Sequence, residues 1–177
     1  MLRVLLVPVL VILLMSQTNL ASFVAAAVFV VGAASDGLDG YLARRHATTT
    51  RTGQWLDPLA DKILVAAPVL TLSAVGRFPV WAAVLIVTRE AAIAVLRAVL
   101  GFGGRSMPAV QAAKLKTVAQ VAAITLYILP LGAGADGVKL GFLIFAVVLT
   151  VTTGARYATE AVGWRRAPRP DATRTPT

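Results

Sequence analysis

Four aspartates within residues 36–61 carry half of the eight acidic side chains of the chain. Asp36 and Asp39 are spaced i,i+3, and Asp57 and Asp61 are spaced i,i+4. On helices, each pair shares one face, so two neighbouring helices would present four carboxylates to one another. Four mutually repelling carboxylates near a membrane boundary are costly unless cations neutralise them. Carboxylate oxygens suit hard divalent ions, Mg²⁺ or Mn²⁺, rather than zinc. Two such ions held close together make a clamp suited to displacement at phosphorus. Loop aspartates ordinarily cap helices or pair with cations, here Arg44, Arg45 and Lys62. The paired spacing, the intervening glycines and the placement favour a metal site instead. Gly37, Gly40 and Gly53 would let a phosphate or nucleotide approach the backbone, although each is also an ordinary close-packing glycine of a membrane helix.

The elements that hold these residues are read from composition and apolar runs. The 177-residue chain is 58% hydrophobic and only 14% charged, with a mean hydropathy of +0.79. Soluble domains carry roughly a quarter of their residues as charges, so a water-solvated single core is excluded. The absence of cysteine removes disulfides, thiolate metal sites and cysteine nucleophiles. Apolar runs cover residues 2–15, 20–34, 63–75, 80–100, 118–131 and 140–162, the third with a helical lead-in from Gly53. Several fall short of the roughly 20 residues a spanning helix needs, and reach it only if their polar ends are helical too. The expectation is an all-α polytopic membrane protein of six transmembrane helices. Residues 1–164 would form the catalytic domain, and the Pro-, Arg- and Thr-rich residues 165–177 a basic, disordered cytoplasmic tail.

Charge sets the orientation. Arg44, Arg45 and Arg51, then Arg105, Lys114 and Lys116, then Arg165, Arg166, Arg169 and Arg174 fall on one set of connections, against Arg77 and Lys139 on the other. The positive-inside rule puts the first set, both termini and the aspartates at the cytoplasmic face of the cell membrane. The net charge of +9 then points to anionic headgroups and anionic substrates, not to nucleic acid. Arg3, the first apolar run and Ala25-Ala26-Ala27 have the parts of a secretory signal, but the chain continues into further spans, so cleavage is not expected. His46 is expected in a solvated loop, Trp81 and Trp164 as interfacial anchors, and Gly137-x3-Gly141 as a weak helix-packing motif.

Asp36-Gly37-Leu38-Asp39-Gly40-Tyr41-Leu42-Ala43-Arg44, eight further residues and Gly53-x3-Asp57-x3-Asp61 match D-x2-D-G-x2-A-R-x8-G-x3-D-x3-D at every specified position. In this the chain resembles the CDP-alcohol phosphotransferases, whose six-helix architecture agrees with the runs above. The resemblance implies transfer of a substituted phosphate from a CDP-linked donor to an alcohol, releasing CMP. It implies that Asp36, Asp39, Asp57 and Asp61 hold two divalent ions, that Asp61 is also the general base, and that Gly40, Ala43, Arg44 and Gly53 line the CMP pocket. A homodimer is implied in the same way. Family members carry an Asn and a Thr just before the Arg that is here Arg3. Arg3-x4-Pro8 is present, and the expectation is a shortened amphipathic lead helix or a start placed too late.

The acceptor is argued from the remaining charges. Arg89 and Arg97 lie eight residues apart, roughly on one face of the fourth run, where ionisable side chains are more often functional than decorative. Glu90 could partner a neighbouring helix. With Arg105, Lys114 and Lys116 could form a cationic pocket for an acceptor that bears a phosphate, although the same lysines also satisfy the positive-inside rule. Leu56 to Lys62, Thr88-Arg89-Glu90 with Arg97, and Lys114-Leu115-Lys116-Thr117 resemble the bacterial phosphatidylglycerophosphate synthases. That resemblance implies CDP-diacylglycerol as donor and sn-glycerol 3-phosphate as acceptor, with Arg89, Arg97, Lys114 and Lys116 on the acceptor phosphate. The rival readings are a cardiolipin synthase or a phosphatidylinositol phosphate synthase of the same family. Outside enzymes, the rivals are a divalent-ion transporter or a membrane scaffold, neither of which needs the pattern of Gly40, Ala43, Arg44 and Gly53.

Overall fold

Helix α1, Leu2–Met15, is a wholly apolar run after Arg3 and ends at a turn in which Gln17 takes a positive φ of 53°. Thr18 restarts the chain as a helix, its Oγ1 accepting from the Ala21 amide at 3.2 Å, a side-chain N-cap. The structure is a computed structural model. It describes the backbone of residues 2–46, 51–102 and 111–166, and the side chains of residues 4–35, 62–96, 115–155 and 159. Among the described residues there are six α-helices and no strand. The others are α2 (Asn19–His46), α3 (Arg51–Ala74), α4 (Val80–Phe102), α5 (Gln111–Ile128) and α6 (Asp136–Arg166), the last preceded by a 3-10 turn at Ala133–Ala135.

The helix ends follow local chemistry. Gly76, at φ +74°, terminates α3: the Arg77 amide donates to Leu72 O at 2.8 Å and the Gly76 amide to Ser73 O at 3.1 Å, a Schellman closure that needs the left-handed residue glycine supplies. Helix α5 stops at Ile128 because Pro130 follows, cannot donate an amide and disfavours helical backbone at Leu129. Two expectations, for His46 and for the tail, are corrected here. His46 is the last residue of α2, not a loop residue. Helix α5 begins at Gln111, seven residues before the apolar run, so its polar lead-in is helical, as the length of a span requires, and Lys114 and Lys116 open it. Helix α6 continues to Arg166, two residues into the expected tail, whose residues 167–177 lie outside the described ones.

Helix α1 packs against α2 and α3, α6 packs against α4 and α5, and α5 also meets α2 and α3. Their shared core is built from Leu10 and Leu14, Phe29, Leu64 and Leu72, Ile86, Ile124 and Ile128, and Leu143. The outward faces are apolar as well. Leu5, Ile12, Leu20 and Val118 are each between 65% and 76% exposed, and such a broad apolar exterior marks a surface meant for another apolar phase. One helix among the described residues, Ala133–Ala155, is long and apolar enough to cross a membrane. Val4–Met15, Asn19–Ser35, Lys62–Ala74 and Leu115–Ile128 are shorter apolar helices. Among the described residues, no side chain or neighbouring helix comes within 4 Å of a Cβ built on Gly137 or Gly141, the glycines expected to pack helices.

One tie crosses the bundle at the end where α2 begins. Arg77, in the turn between α3 and α4, donates through Nη1 to Ser22 Oγ of α2 at 3.0 Å and through Nη2 to Ile128 O of α5 at 2.8 Å. Tyr127 O and Leu129 O lie 3.4 Å from the same nitrogen. The guanidinium therefore caps the C-terminal carbonyls of α5, where a cation also meets the negative end of the helix dipole. Phe78 adds an edge-to-face contact with Tyr127, ring centroids 4.8 Å apart at 64°.

Candidate active site

The aspartate signature straddles two helices. Asp36, Asp39, Gly40, Ala43 and Arg44 lie in the second half of α2, and Gly53, Asp57 and Asp61 in the first half of α3. Both segments are helical, so the i,i+3 and i,i+4 spacings do place each aspartate pair on one helical face. Helix α2 packs against α3. The side chains of these eight residues, and those of Arg97 and Lys114, lie outside the described residues. As a donor set, four carboxylates from two adjoining helices fit hard divalent ions.

The described side chains supply the neighbouring ground. Arg89, on α4, donates through Nε to Thr150 O at 3.1 Å and through Nη2 to Thr153 Oγ1 at 2.8 Å, both on α6. Its Nη1 donates to Glu90 Oε1 at 3.1 Å, and the same oxygen accepts from Lys116 Nζ of α5. The Arg89, Glu90 and Lys116 side chains are 13%, 21% and 8% exposed. Gln120 Nε2 extends the network to Thr150 Oγ1 at 3.2 Å. Two of the four cations expected at the acceptor phosphate, Arg89 and Lys116, thus meet on one carboxylate at the junction of α4, α5 and α6.

The cluster borders a cavity of about 320 Å³ between α3 and α4. Glu90 and Lys62 both line it, among Ile63, Ala66, Ile86 and Ala94. Lys62 follows Asp61 directly, so the α4 network and the turn carrying Asp61 flank the same part of the bundle. A polar cavity of about 480 Å³ lies at the other end, where α2 starts and α3 stops. It is lined by Gln17, Ser22, Arg77, Tyr127 and Lys139 and holds no residue of the signature. Its cations have local work: Arg77 caps α5, and Lys139 Nζ donates to Asp136 Oδ1 and Leu131 O, each at 3.1 Å.

Sequence reasoning missed Gln120, Thr150, Thr153 and Gly154. Their signal was available: Gln120 is four residues after Lys116, and Thr150, Thr153 and Gly154 recur at i, i+3 and i+4 in an otherwise apolar helix. Gly154 leaves room for the arginine, since a Cβ there would sit 3.3 Å from Arg89 Nε and 3.6 Å from Arg89 Cγ. Gly154→Ala gains helix propensity of about 1 kcal/mol, enough to offset a shift of a few tenths of an ångström. Gly154→Val adds bulk against the guanidinium at an overpacking cost of about 1–3 kcal/mol. The expected result in thermal melts of purified protein is an unchanged or slightly raised Tm for Gly154→Ala and a fall for Gly154→Val. Equal melting of all three proteins would show that the contact does not constrain Arg89.

A family model described as CDP-alcohol phosphatidyltransferase matches residues 1–152. A Mycobacterium tuberculosis (strain CDC 1551 / Oshkosh) protein named "Probable phosphatidylglycerophosphate synthase" is 38% identical over 166 residues, covering 92% of this chain and 78% of its own. Two relatives are named CDP-diacylglycerol–glycerol-3-phosphate 3-phosphatidyltransferase. The one from Pseudomonas fluorescens is 37% identical over 90% of this chain and 86% of its own length. The one from Rickettsia typhi (strain ATCC VR-144 / Wilmington) is 34% identical over 88% of this chain and 89% of its own.

Proposed function

The chain belongs to the CDP-alcohol phosphatidyltransferase family, and from that premise we propose that it transfers the phosphatidyl group of CDP-diacylglycerol to sn-glycerol 3-phosphate. The products are phosphatidylglycerophosphate and CMP. The family consists of membrane enzymes that generally use divalent metal ions. The relatives' names support both substrates. The observation that carries the acceptor choice is the convergence of Arg89 and Lys116 on one carboxylate beside the turn of Asp61. Buried cations from two helices suit an acceptor that is itself an anion.

In this reading Asp36, Asp39, Asp57 and Asp61 hold two divalent ions, Mg²⁺ or Mn²⁺, which when bound draw negative charge from the phosphate oxygens. Gly40, Ala43 and Gly53 leave backbone open to the CMP moiety, and Arg44 offers its planar donor fork to phosphate oxygens. Arg89, Arg97, Lys114 and Lys116 hold the acceptor's phosphate and so turn its hydroxyl towards the donor. The hydroxyl oxygen bonds to the phosphorus bearing the diacylglycerol, the bond from that phosphorus to the CMP oxygen breaks, and the hydroxyl proton passes to the Asp61 carboxylate.

The six helices, which end at Arg166, are proposed as six membrane spans, with residues 167–177 as a cytoplasmic tail. The apolar exterior and the cation bias of the loops support this seating. The aspartates then face the cytoplasm, and two copies form a homodimer in the bilayer. Purified protein given CDP-diacylglycerol, Mg²⁺ and glycerol 3-phosphate is expected to release CMP, to use phosphatidylglycerol poorly, and to stop when a chelator removes the divalent ion. Equal CMP release without an acceptor, or release with phosphatidylglycerol alone, would sink the assignment.

A further inference from the structure

Glu90 is the one carboxylate among the described residues that joins cations from two helices. Arg89 is fixed without it, through its two bonds to α6. Lys116 carries its charge at the end of a flexible four-carbon stem, and the side chain is only 8% exposed. A buried ammonium is expensive unless opposite charge faces it, and Glu90 brings one such charge from α4. Glu90 also forms part of the wall of the α3–α4 cavity together with Lys62, the residue after Asp61. It therefore belongs both to the cation cluster and to the cavity wall that Lys62 shares.

We propose that Glu90 is a positioning residue which, acting through Lys116, sets the cation cluster that receives the phosphate of the acceptor. This rests on the acceptor reading given above. The carboxylate holds the Lys116 ammonium of α5 beside Arg89 on α4, so a phosphate entering beside the pair meets two donors already in place. The saving is in ordering, because neither long side chain has to be gathered when the acceptor binds. The effect belongs to acceptor affinity and not to the chemical step.

Full-length protein carrying Glu90→Gln, Glu90→Asp, Lys116→Met, or Glu90→Gln with Lys116→Met tests this in steady-state CMP release with CDP-diacylglycerol and Mg²⁺. Glu90→Gln keeps the shape and one acceptor oxygen but removes the charge. Its KM for glycerol 3-phosphate is expected to rise about tenfold or more, with kcat and the KM for CDP-diacylglycerol within about twofold of wild type. Glu90→Asp recovers part of the loss. The double variant is no worse than Lys116→Met alone, because the two residues act as one unit. A KM that stays put in Glu90→Gln overturns the proposal, as does one that falls, since the carboxylate would then be competing with the phosphate. Additive losses in the double variant, or kcat and both KM values moving together with Tm, also overturn it. Wild-type protein that releases no CMP in response to glycerol 3-phosphate overturns the acceptor reading itself and this proposal with it. Responsive wild type with an unmoved Glu90→Gln overturns this proposal alone.

Discussion

Asp61→Asn is expected to lower glycerol-3-phosphate-dependent CMP release by about 10³-fold or more, while the protein still inserts and melts as wild type does. General-base catalysis alone is worth about 10²–10⁴-fold, and Asp61 is assigned a share of the ion site as well. Asparagine keeps the shape of the side chain but cannot take the acceptor's proton and is a weak ligand for a hard cation. The helix need not change, since Asp61 sits in the first half of α3, well before the Schellman closure that ends it. Relief of carboxylate repulsion would, if anything, favour the fold. Asp57→Asn is expected to be comparably inactive. Radiolabelled CMP release, read beside a thermal melt of each variant, is the measurement. Turnover in both variants within tenfold of wild type would refute the assignment of two ions and a carboxylate base to this signature.

Arg77→Met is expected to act on stability and leave chemistry alone. The arginine joins three parts of the chain: the α3–α4 turn that carries it, Ser22 on α2, and the last carbonyls of α5. Hydrogen bonds to a charged group contribute about 1.5–3 kcal/mol each, and a buried acceptor that loses its partner adds a desolvation cost. Methionine fills much of the volume but donates nothing. The expected loss is about 3 kcal/mol, which for a chain of this size is a fall in Tm of roughly 6–12 °C. At temperatures well below the melt, kcat and both KM values should match wild type, because Arg77 stands at the end of the bundle where α2 begins and the aspartates at the end where it finishes. A variant that melts normally would show that the α5 carbonyls are satisfied without the guanidinium.

How far each of these features could be read from sequence follows from how local its cause is. The end of α1 and the start of α4 coincide with the apolar runs, because polar or turn residues flank both directly. Helix α2 outruns its apolar run because Asp36 to His46 is polar but has no proline to break it; only the i,i+3 spacing of Asp36 and Asp39 hinted that the helix goes on. The aspartate positions were legible because fixed spacing along one chain defines them. Arg77 was legible only as a charge to be counted, since its partners on α5 lie fifty residues and more along the chain. The spacing of Gln120, Thr150 and Thr153 was visible, but their partners were hidden for a similar reason. A hydroxyl in an apolar helix ordinarily bonds its own backbone, as Thr71, Thr125 and Thr153 do here, and only the tertiary fold shows which also accept from a neighbour. The Gly137-x3-Gly141 pattern was legible and meets no neighbouring helix among the described residues.

The length of α2 bears on how such an enzyme would meet its lipid. Its 28 residues reach about 42 Å at 1.5 Å per residue, against a hydrocarbon layer of about 30 Å. The apolar part, Asn19–Ser35, is about 25 Å long by the same rise, and the aspartates begin at the next residue. On the proposed seating, Asp36 and Asp39 stand at the cytoplasmic edge of the hydrocarbon layer, just beneath the phosphates of lipids in the adjoining leaflet. A diacylglycerol-anchored donor would arrive by lateral diffusion without lifting its tails out of the bilayer, while the water-soluble acceptor comes from the cytoplasm. Turnover would then follow the surface mole fraction of the donor rather than its bulk concentration. Diluting the membrane with inert lipid at constant total donor should slow the reaction in proportion.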